Sequence, residues 1–176
     1  MRSRIRKDYN EASLYEYAIG ALGRRMRSVA ELKRLMRQKV AHQGELGDAL
    51  IDLVIFRLKE QKYLNDSQYA AAFSSYRRDN EKFGRYRVVS DLKSRGVHGD
   101  VIEQAVTSVY GEVDEEKQAR EHLRRKRMQK PANQKQAARV FRALTRAGFS
   151  SKTIFKILKN WDVDDETITA LESELD

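Results

Sequence analysis

The side chains of this sequence best suited to chemistry with a partner are its arginines and lysines. The 176-residue chain carries 35 of them against 26 aspartates and glutamates, which gives a net charge of +9 at pH 7. Guanidinium and ammonium groups bind phosphates and carboxylates through their charge and several N–H donors. The composition therefore predicts a polyanionic or acidic partner.

These charges are spread unevenly along the chain. Residues 1–39 contain eleven Lys and Arg against four Asp and Glu, and residues 120–146 contain ten against one. Residues 162–176 contain seven acidic residues and no basic ones. A basic body with an acidic end favours a binding surface, although a solvated helix face paired with surface acids is the alternative.

Three basic clusters are the candidate binding sites for such a partner. The third cluster is the densest and has few acids near it, so we predict that it binds. The other two are equally compatible with binding and with an ion-paired surface. The first cluster is Arg24, Arg25, Arg27, Arg34 and Arg37; the second is Arg85, Arg87, Lys93 and Arg95; the third is Arg124, Arg125, Lys126, Arg127 and Lys130.

The aromatic residues divide into two groups by their neighbours. One group follows apolar helical stripes and is predicted to lie in the core: Tyr69, Phe73, Phe141 and Trp161. The other group flanks basic residues, where packing is the favoured role and stacking on bases or on a partner protein is the alternative: Tyr76, Phe83 and Tyr86.

Catalytic chemistry finds no support in these residue types. The chain has no cysteine, and His42, His98 and His122 are scattered without metal-ligand spacing. Walker, dinucleotide-binding and nucleophile-elbow motifs are missing. Neighbouring carboxylates at 115–116 and 164–165 fall at predicted helix starts, where negative charge suits the helix dipole. We therefore predict a non-enzyme without a metal ion, a cofactor or catalytic residues.

The cellular location is also bounded by what the sequence contains. The absence of cysteine excludes disulfides. We find no apolar stretch long enough to span a bilayer and no signal peptide after the basic start. The sequence therefore predicts a cytoplasmic protein without a membrane partner.

Helices must position the basic clusters, because apolar residues recur at helical spacing along the whole chain and no strand pattern competes. We predict nine helices followed by a short acidic amphipathic tail. Capping boxes are predicted at Ser28 with Glu31 and at Asp100 with Glu103. Other predicted N-caps are Asp66 and either Ser150 or Ser151, a helix is predicted to begin near Asp114, and the predicted helix ends are Gly23, Gly96 and Gly148.

The predicted inward stripes follow from the same spacing. The third helix, over residues 46–61, is expected to turn Leu50, Leu53, Val54 and Leu58 inward, with Ile51 and Ile55 widening that face. The fourth helix is expected to bury Tyr69, Ala72, Phe73 and Tyr76, and the acidic tail is expected to bury Ile168, Leu171 and Leu175.

An internal repeat groups the helices in threes. The segments LMRQKV (residues 35–40), LKSRGV (92–97) and LTRAGF (144–149) each place a hydrophobe five residues after an apolar anchor. We therefore predict an all-α fold, an elongated array of three tandem three-helix repeats. The predicted divisions are a basic arm (1–12), three repeats (13–64, 65–112 and 113–162) and an acidic tail (163–176).

Several segments resemble the RecX family of bacterial regulators. KYLNDSQYAAAF (residues 62–73) is similar to the family's tyrosine-leucine-acidic motif, which joins the first repeat to the second. RSVAELKRLMRQKV (27–40) and FGRYRVVSDLKSRGV (83–97) resemble its first-repeat and second-repeat patterns, and Gly148 with Phe149 resembles the end of the third. The similarity runs in order from about residue 14 to residue 161.

The resemblance implies a fold and a function. RecX proteins consist of three tandem three-helix repeats that bind RecA and its filament on single-stranded DNA. They inhibit strand exchange, ATP hydrolysis and coprotease activity, and they oppose filament growth. The family has no catalytic residues to assign here, and the basic arm and the acidic tail depart from its pattern. We expect a monomer whose binding to DNA is weak, salt-sensitive and sequence-tolerant.

Two other functions remain open at this point. A stand-alone DNA-binding protein with a helix-turn-helix would account for the charge and the short helices, and it would bind a particular duplex sequence tightly. A scaffold for an acidic protein partner would need no DNA at all.

Overall fold

The structure, a computed structural model, describes residues 8–173. Those residues form ten α-helices and one short 3-10 helix, with no strand among them. The predicted all-α class is therefore confirmed. The predicted basic residues Arg2, Arg4, Arg6 and Lys7 and the tail residue Leu175 lie outside the described residues.

The first unit consists of three helices around one apolar core. Its helices are α1 (Glu11–Arg24), α2 (Val29–Val40) and α3 (Gly44–Glu60). The capping box of Ser28 and Glu31 is confirmed at the start of α2. Gly23 lies inside the last turn of α1 and does not end that helix. The core of the unit contains Leu14, Leu32, Met36, Val54 and Leu58.

The inward face of α3 is narrower than predicted. Ile51, Val54, Ile55 and Leu58 are buried as expected, but Leu53 is 46% exposed. The prediction for Leu53 is therefore wrong. This helix has apolar residues around most of its circumference, so the hydrophobic pattern does not show which edge meets α1 and α2.

The second unit contains α4 (Asp66–Asp79), α5 (Arg85–Ser94) and α6 (Gly99–Tyr110). The prediction that Asp66 caps α4 is wrong, because the Asn65 side chain accepts the bonds from the backbone N–H groups of residues 67 and 68. Asp66 instead accepts a 2.8 Å bond from the backbone N–H of Val29. It therefore ties the start of α4 to the start of α2.

Two further predictions in the second unit are wrong. Asp100 and Glu103 form no capping box, since α6 begins one residue before Asp100 and no side chain caps it. The buried stripe of α4 also lies on a different face. It runs through Tyr69, Ala70 and Ser74, Phe73 is half-buried, and Ala72 and Tyr76 are exposed.

The third unit contains four helices. They are α7 (Glu115–Arg125), α8 (Gln134–Ala147), α9 (Ser151–Asn160) and α10 (Asp165–Glu172). The predicted cap Ser150 and the predicted helix start near Asp114 are confirmed, with Asp114 itself as the N-cap of α7, and α8 ends at Gly148 in the left-handed region. The acidic tail forms α10, which packs on α8. Its Leu171 lies in the apolar core of the third unit.

The second unit contacts both of its neighbours. Ser28 of the first unit donates a 2.6 Å bond to the backbone oxygen of Arg95. At the other end, the backbone N–H of Gly84 donates to Ala147 and that of Tyr86 donates to Gly148. A Cβ on Gly84 would lie 2.1 Å from the Gly148 oxygen, so only glycine allows this close approach. The three units therefore form a row with the second in the middle.

Candidate nucleic-acid interface

The third basic cluster lies where α7 ends. Arg124 and Arg125 occupy the last turn, Lys126 is the C-cap, and Arg127 has a positive φ of 53°. Positive charge at this end of a helix interacts favourably with its dipole. All four side chains are exposed, and none forms an ion pair with any of residues 8–173. They are therefore available to an anionic partner.

The fifth member of the third cluster already has a partner. The ammonium group of Lys130 lies 2.6 Å from a carboxylate oxygen of Asp162, in the acidic segment before α10. This bond holds the pKa of the Asp162 carboxyl below its ordinary value. Because both side chains are exposed, the contact contributes little to stability. It does place one acid of the acidic segment beside the basic surface.

A basic stripe on α8 extends this surface, and the sequence prediction missed it. Its members follow one another at spacings of four, three and four residues, so they share one face of the helix. All are exposed, and they lie opposite the buried face that includes Val140 and Leu144. The spacing itself is the signal that could have found the stripe, which consists of Lys135, Arg139, Arg142 and Arg146.

A cleft between the second and third units joins these surfaces. Its volume is about 400 Å³, within the usual range of ligand pockets. One wall carries Arg87 of α5, and the other carries Lys126 with Arg139 and Arg146 of α8. Arg87 is also paired with Asp91 at 3.0 Å. The nine lining residues include no carboxylate, so the cleft is strongly cationic: Phe83, Arg87, His122, Lys126, Met128, Arg139, Ala143, Arg146 and Ala147.

The floor of this cleft contains a buried histidine. His122 is 3% exposed, and its ring centre lies 5.7 Å from that of Phe83 and 5.9 Å from that of Phe149. Its Nδ1 atom lies 3.3 Å from the backbone oxygen of Glu81. Burial lowers the pKa of His122 below its ordinary value, which makes the ring neutral at pH 7. His122 is therefore part of the packing between the units.

The second basic cluster is divided among different surfaces. Arg87 faces the cleft just described, whereas Arg95 lies between the first and second units and pairs with Glu31 at 2.9 Å. Arg85 lines a separate cavity that also contains Glu115. Lys93 is exposed on α5. These four residues lie within eleven positions of the sequence, but successive residues of a helix point in different directions, so the four lie on different surfaces.

The first basic cluster is largely engaged within the protein. Arg25 lies 3.6 Å from Glu31, and Arg37 lies 3.4 Å from Asp48. The Nε groups of two others donate to backbone oxygens: Arg27 to Ala21 and Arg34 to Ala30. Arg24 is exposed and forms no ion pair with residues 8–173.

A second cleft, between the first and second units, has a different chemistry. Its volume is about 700 Å³, and its guanidinium groups come from Arg25, Arg77 and Arg95. Each of these three lies within ion-pair distance of a carboxylate, Glu31 or Asp91. The remaining lining is largely aromatic and apolar, with one acid at its edge: Met26, Tyr69, Ala72, Phe73, Tyr76 and Glu81.

The aromatic predictions have mixed outcomes. Tyr69 and Phe141 are buried, and Phe73 and Trp161 pack against the cores while partly exposed. Phe83 packs against two cores, as predicted. Packing is the wrong role for two others, since Tyr76 and Tyr86 are more than half exposed.

These observations define a class of protein. It is an all-α helical-repeat protein with an exposed basic surface on its third unit. Within the part of the chain that the structure describes, no cluster of acidic and histidine side chains could hold a metal ion. None of the helices there combines the length and apolarity of a membrane span.

The chain belongs to the RecX family of regulatory proteins. Residues 65–106 match the family model described as RecX, second three-helix domain. The regulatory protein RecX of Leptothrix cholodnii is 33% identical over 149 residues, covering 85% of this chain and 89% of that protein. The one of Chromobacterium violaceum is 30% identical over 153 residues, covering 87% and 93%. The name that these relatives share describes a regulator and no catalysed reaction.

Other relatives are longer than the region that matches. The regulatory protein RecX of Bacillus subtilis is 28% identical over 171 residues, and the match covers 96% of this chain but only 60% of that protein. For the relative from Oceanobacillus iheyensis the shares are 87% and 55%. The chain therefore spans little more than half the length of these two relatives.

Solved structures of the family share the fold. The crystal structure of RecX from Lactobacillus salivarius aligns with a TM-score of 0.64 at 18% identity, covering 86% of this chain and 96% of that one. A second crystal structure, of a regulatory protein RecX, aligns with a TM-score of 0.65 at 22% identity, covering 85% of this chain and 71% of that one. The helical-repeat architecture is therefore the one that solved RecX structures have.

Proposed function

We propose that this protein is a cytoplasmic regulator that binds RecA and RecA filaments on single-stranded DNA. It inhibits the recombinase, ATPase and coprotease activities of RecA and limits filament growth. The observation that carries the proposal is family membership, at 33% identity over 89% of a regulatory protein RecX. The protein acts as a monomer and has no catalytic role.

The surface chemistry supports this proposal. A nucleoprotein filament is a long fibre with many phosphates, and a row of three units offers it an extended surface. Four members of the third cluster form no ion pairs with residues 8–173, so they can replace the counterions of the phosphates. Counterion release makes such binding strongly dependent on salt concentration.

A titration of RecA's DNA-dependent ATPase tests the proposal. Adding less than one molecule of this protein per RecA is expected to lower the rate of ATP hydrolysis on single-stranded DNA. An unchanged rate up to a one-to-one ratio would contradict the proposed function. A pull-down of RecA with and without single-stranded DNA separates regulation of the filament from a scaffold role, because a scaffold for an acidic protein would not need the DNA.

Binding to DNA without RecA is the second candidate function, and the four cations of the third cluster that form no ion pair with residues 8–173 favour it. We expect this binding to be weak, salt-sensitive and indifferent to sequence. Footprinting on duplex DNA at roughly physiological salt, with nanomolar protein, is the measurement. Protection of one specific sequence under those conditions, which is the behaviour of a true operator-binding protein, would replace our proposal.

A further inference from the structure

We propose that the cleft between the second and third units binds the sugar–phosphate backbone of single-stranded DNA. This inference rests on the proposed function and deepens it, because it assigns the DNA contact to one cleft. Both neighbouring units contribute to the site. Arg87 comes from α5, and Lys126, Arg139 and Arg146 come from the third unit.

Charge distinguishes this cleft from the one between the first and second units. In the first–second cleft all three guanidinium groups lie within ion-pair distance of Glu31 or Asp91. In the cleft between the second and third units, only Arg87 lies within ion-pair distance of a carboxylate, that of Asp91. No carboxylate lines this cavity. Lys126, Arg139 and Arg146 form no ion pair with residues 8–173. Uncompensated cations that converge on one cavity favour an anionic ligand.

The cationic surface continues beyond the cleft. A neighbouring concavity of about 190 Å³ shares Lys126, Met128 and Arg139 with it and adds Arg127. The α8 stripe spans residues 135–146, whose eleven steps of 1.5 Å extend over about 16 Å, and its Arg139 lines both concavities. A linear chain of phosphates fits a surface of this shape better than a single small anion does.

Phosphates, and not bases, are the groups that this cleft recognises. Base stacking needs an open aromatic face. Phe83 has the guanidinium groups of Arg77 and Arg87 at 5.3 and 5.8 Å from its ring centre, and His122 on another side. His122 and Phe149 are buried. Guanidinium groups, by contrast, match phosphate oxygens with paired N–H donors.

The size of the cleft favours a single strand over a duplex. A cavity of about 400 Å³ between two units is too small to enclose a duplex, whose grooves alone are about 6 and 12 Å wide. A duplex would contact only the rim, because its two backbones are separated by a groove of about 6 or 12 Å. The occupant is therefore a single-stranded phosphodiester.

A pair of double variants with equal charge tests the site. Arg139→Ala with Arg146→Ala removes two cations from the cleft and its stripe. Lys59→Ala with Lys152→Ala removes two exposed cations of α3 and α9 that do not line it. The full-length proteins are titrated against labelled oligothymidylate by fluorescence anisotropy at several salt concentrations, and circular dichroism confirms that each variant is helical.

The salt dependence of binding gives the readout. Each phosphate contact contributes about 0.7 to the slope of log affinity against log salt for a single strand. We expect the Arg139 and Arg146 variant to lose about 1.4 from this slope, and the Lys59 and Lys152 variant to keep the slope of the unmodified protein. Equal slopes in the two variants would overturn the proposed site.

Chemically altered strands identify what is recognised. An abasic strand is expected to bind as well as oligothymidylate, and a methylphosphonate strand, which lacks the backbone charge, is expected to lose binding. A much weaker abasic complex would overturn the assignment to phosphates. Tighter binding to a duplex than to a single strand would overturn the assignment to one strand.

The ATPase titration with the same variants separates this inference from the proposed function. Unchanged slopes together with full inhibition of RecA by both variants would refute the cleft and leave the regulator intact. A shallower slope for the Arg139 and Arg146 variant, with no inhibition of RecA even by the unmodified protein, would support the DNA site and refute the regulator.

Discussion

At the scale of single residues, Glu115 links two helices of the third unit. It is the first residue of α7, and its carboxylate accepts hydrogen bonds from Ser150 and Thr153 at the start of α9. Burial alone raises the pKa of Glu115, but these hydrogen bonds outweigh it and hold that pKa below its ordinary value. The ionised carboxylate therefore stabilises the folded protein.

Replacing this carboxylate tests its contribution. Glu115→Gln is expected to lower the free energy of unfolding at pH 7 by about 1–2 kcal/mol, because the hydrogen bonds lose their charge. The stabilisation is complete above the unfolded pKa of about 4.5 and is lost as the pH falls through the lower folded value. The difference between the two proteins should therefore narrow in denaturation experiments below pH 4.5.

Glu45→Gln is the matched control for this measurement. Glu45 also lies in the first turn of a helix, α3, but it is exposed and its side chain forms no hydrogen bond with the other described residues. Its replacement removes only the interaction with the helix dipole, a few tenths of a kcal/mol. A loss of stability as large as that of Glu115→Gln would mean that the dipole alone explains both.

At the scale of helices, two leucines were both predicted to be buried, and the structure confirms only one of these predictions. Leu92 of α5 is fully buried, whereas Leu53 of α3 is 46% exposed. Leu92→Ala should therefore cost about 2–5 kcal/mol of unfolding free energy. Leu53→Ala should change it by less than about 0.5 kcal/mol. Chemical denaturation measures both, and similar losses would contradict the observed orientation of α3.

Helix boundaries set by local chemistry were predictable in part. Ser28 with Glu31 and Gly148 act within one turn of chain and were predicted correctly, whereas Asp100 with Glu103 has the same capping-box spacing and caps no helix. Asp66 shows the limit of this reasoning. The adjacent Asn65 has a side chain equally able to cap α4, and Asp66 is instead bonded to Val29 of another unit.

The candidate site was predictable in part. The third cluster is contiguous in sequence, so its charge density was visible without a structure. The α8 stripe was also visible, as basic residues at helical spacing. The sequence did not show that this stripe lies near Arg87. That residue is some fifty positions away and lines the cleft only because α5 packs against α8.

At the scale of the whole molecule, two glycines allow the backbones of the second and third units to approach each other closely. Gly148 has a φ of +84°, and a Cβ there would lie 2.1 Å from the backbone nitrogen of Arg87. Gly148→Ala is therefore expected to lower the free energy of unfolding by about 1–3 kcal/mol, through backbone strain and the displaced contact. Thermal or chemical unfolding gives the value.

An alanine elsewhere provides the control for this substitution. Gly20 lies inside α1, and a Cβ there has nothing within 4 Å. Gly20→Ala should raise the free energy of unfolding by up to about 1 kcal/mol, because alanine favours the helix. If both substitutions raised the free energy of unfolding, the close contact described between the second and third units would be contradicted.

The contact at Gly84 and Gly148 is also the point about which any rotation between the second and third units would occur. Arg87 lies three residues after the first glycine, and Arg146 lies two residues before the second. When one unit rotates relative to the other, each atom moves in proportion to its distance from the rotation axis. Such a rotation would therefore move the remote ends of the two units much more than it would change the distance between these two cations. The proposed phosphate site would therefore keep its geometry if the two units changed their relative orientation.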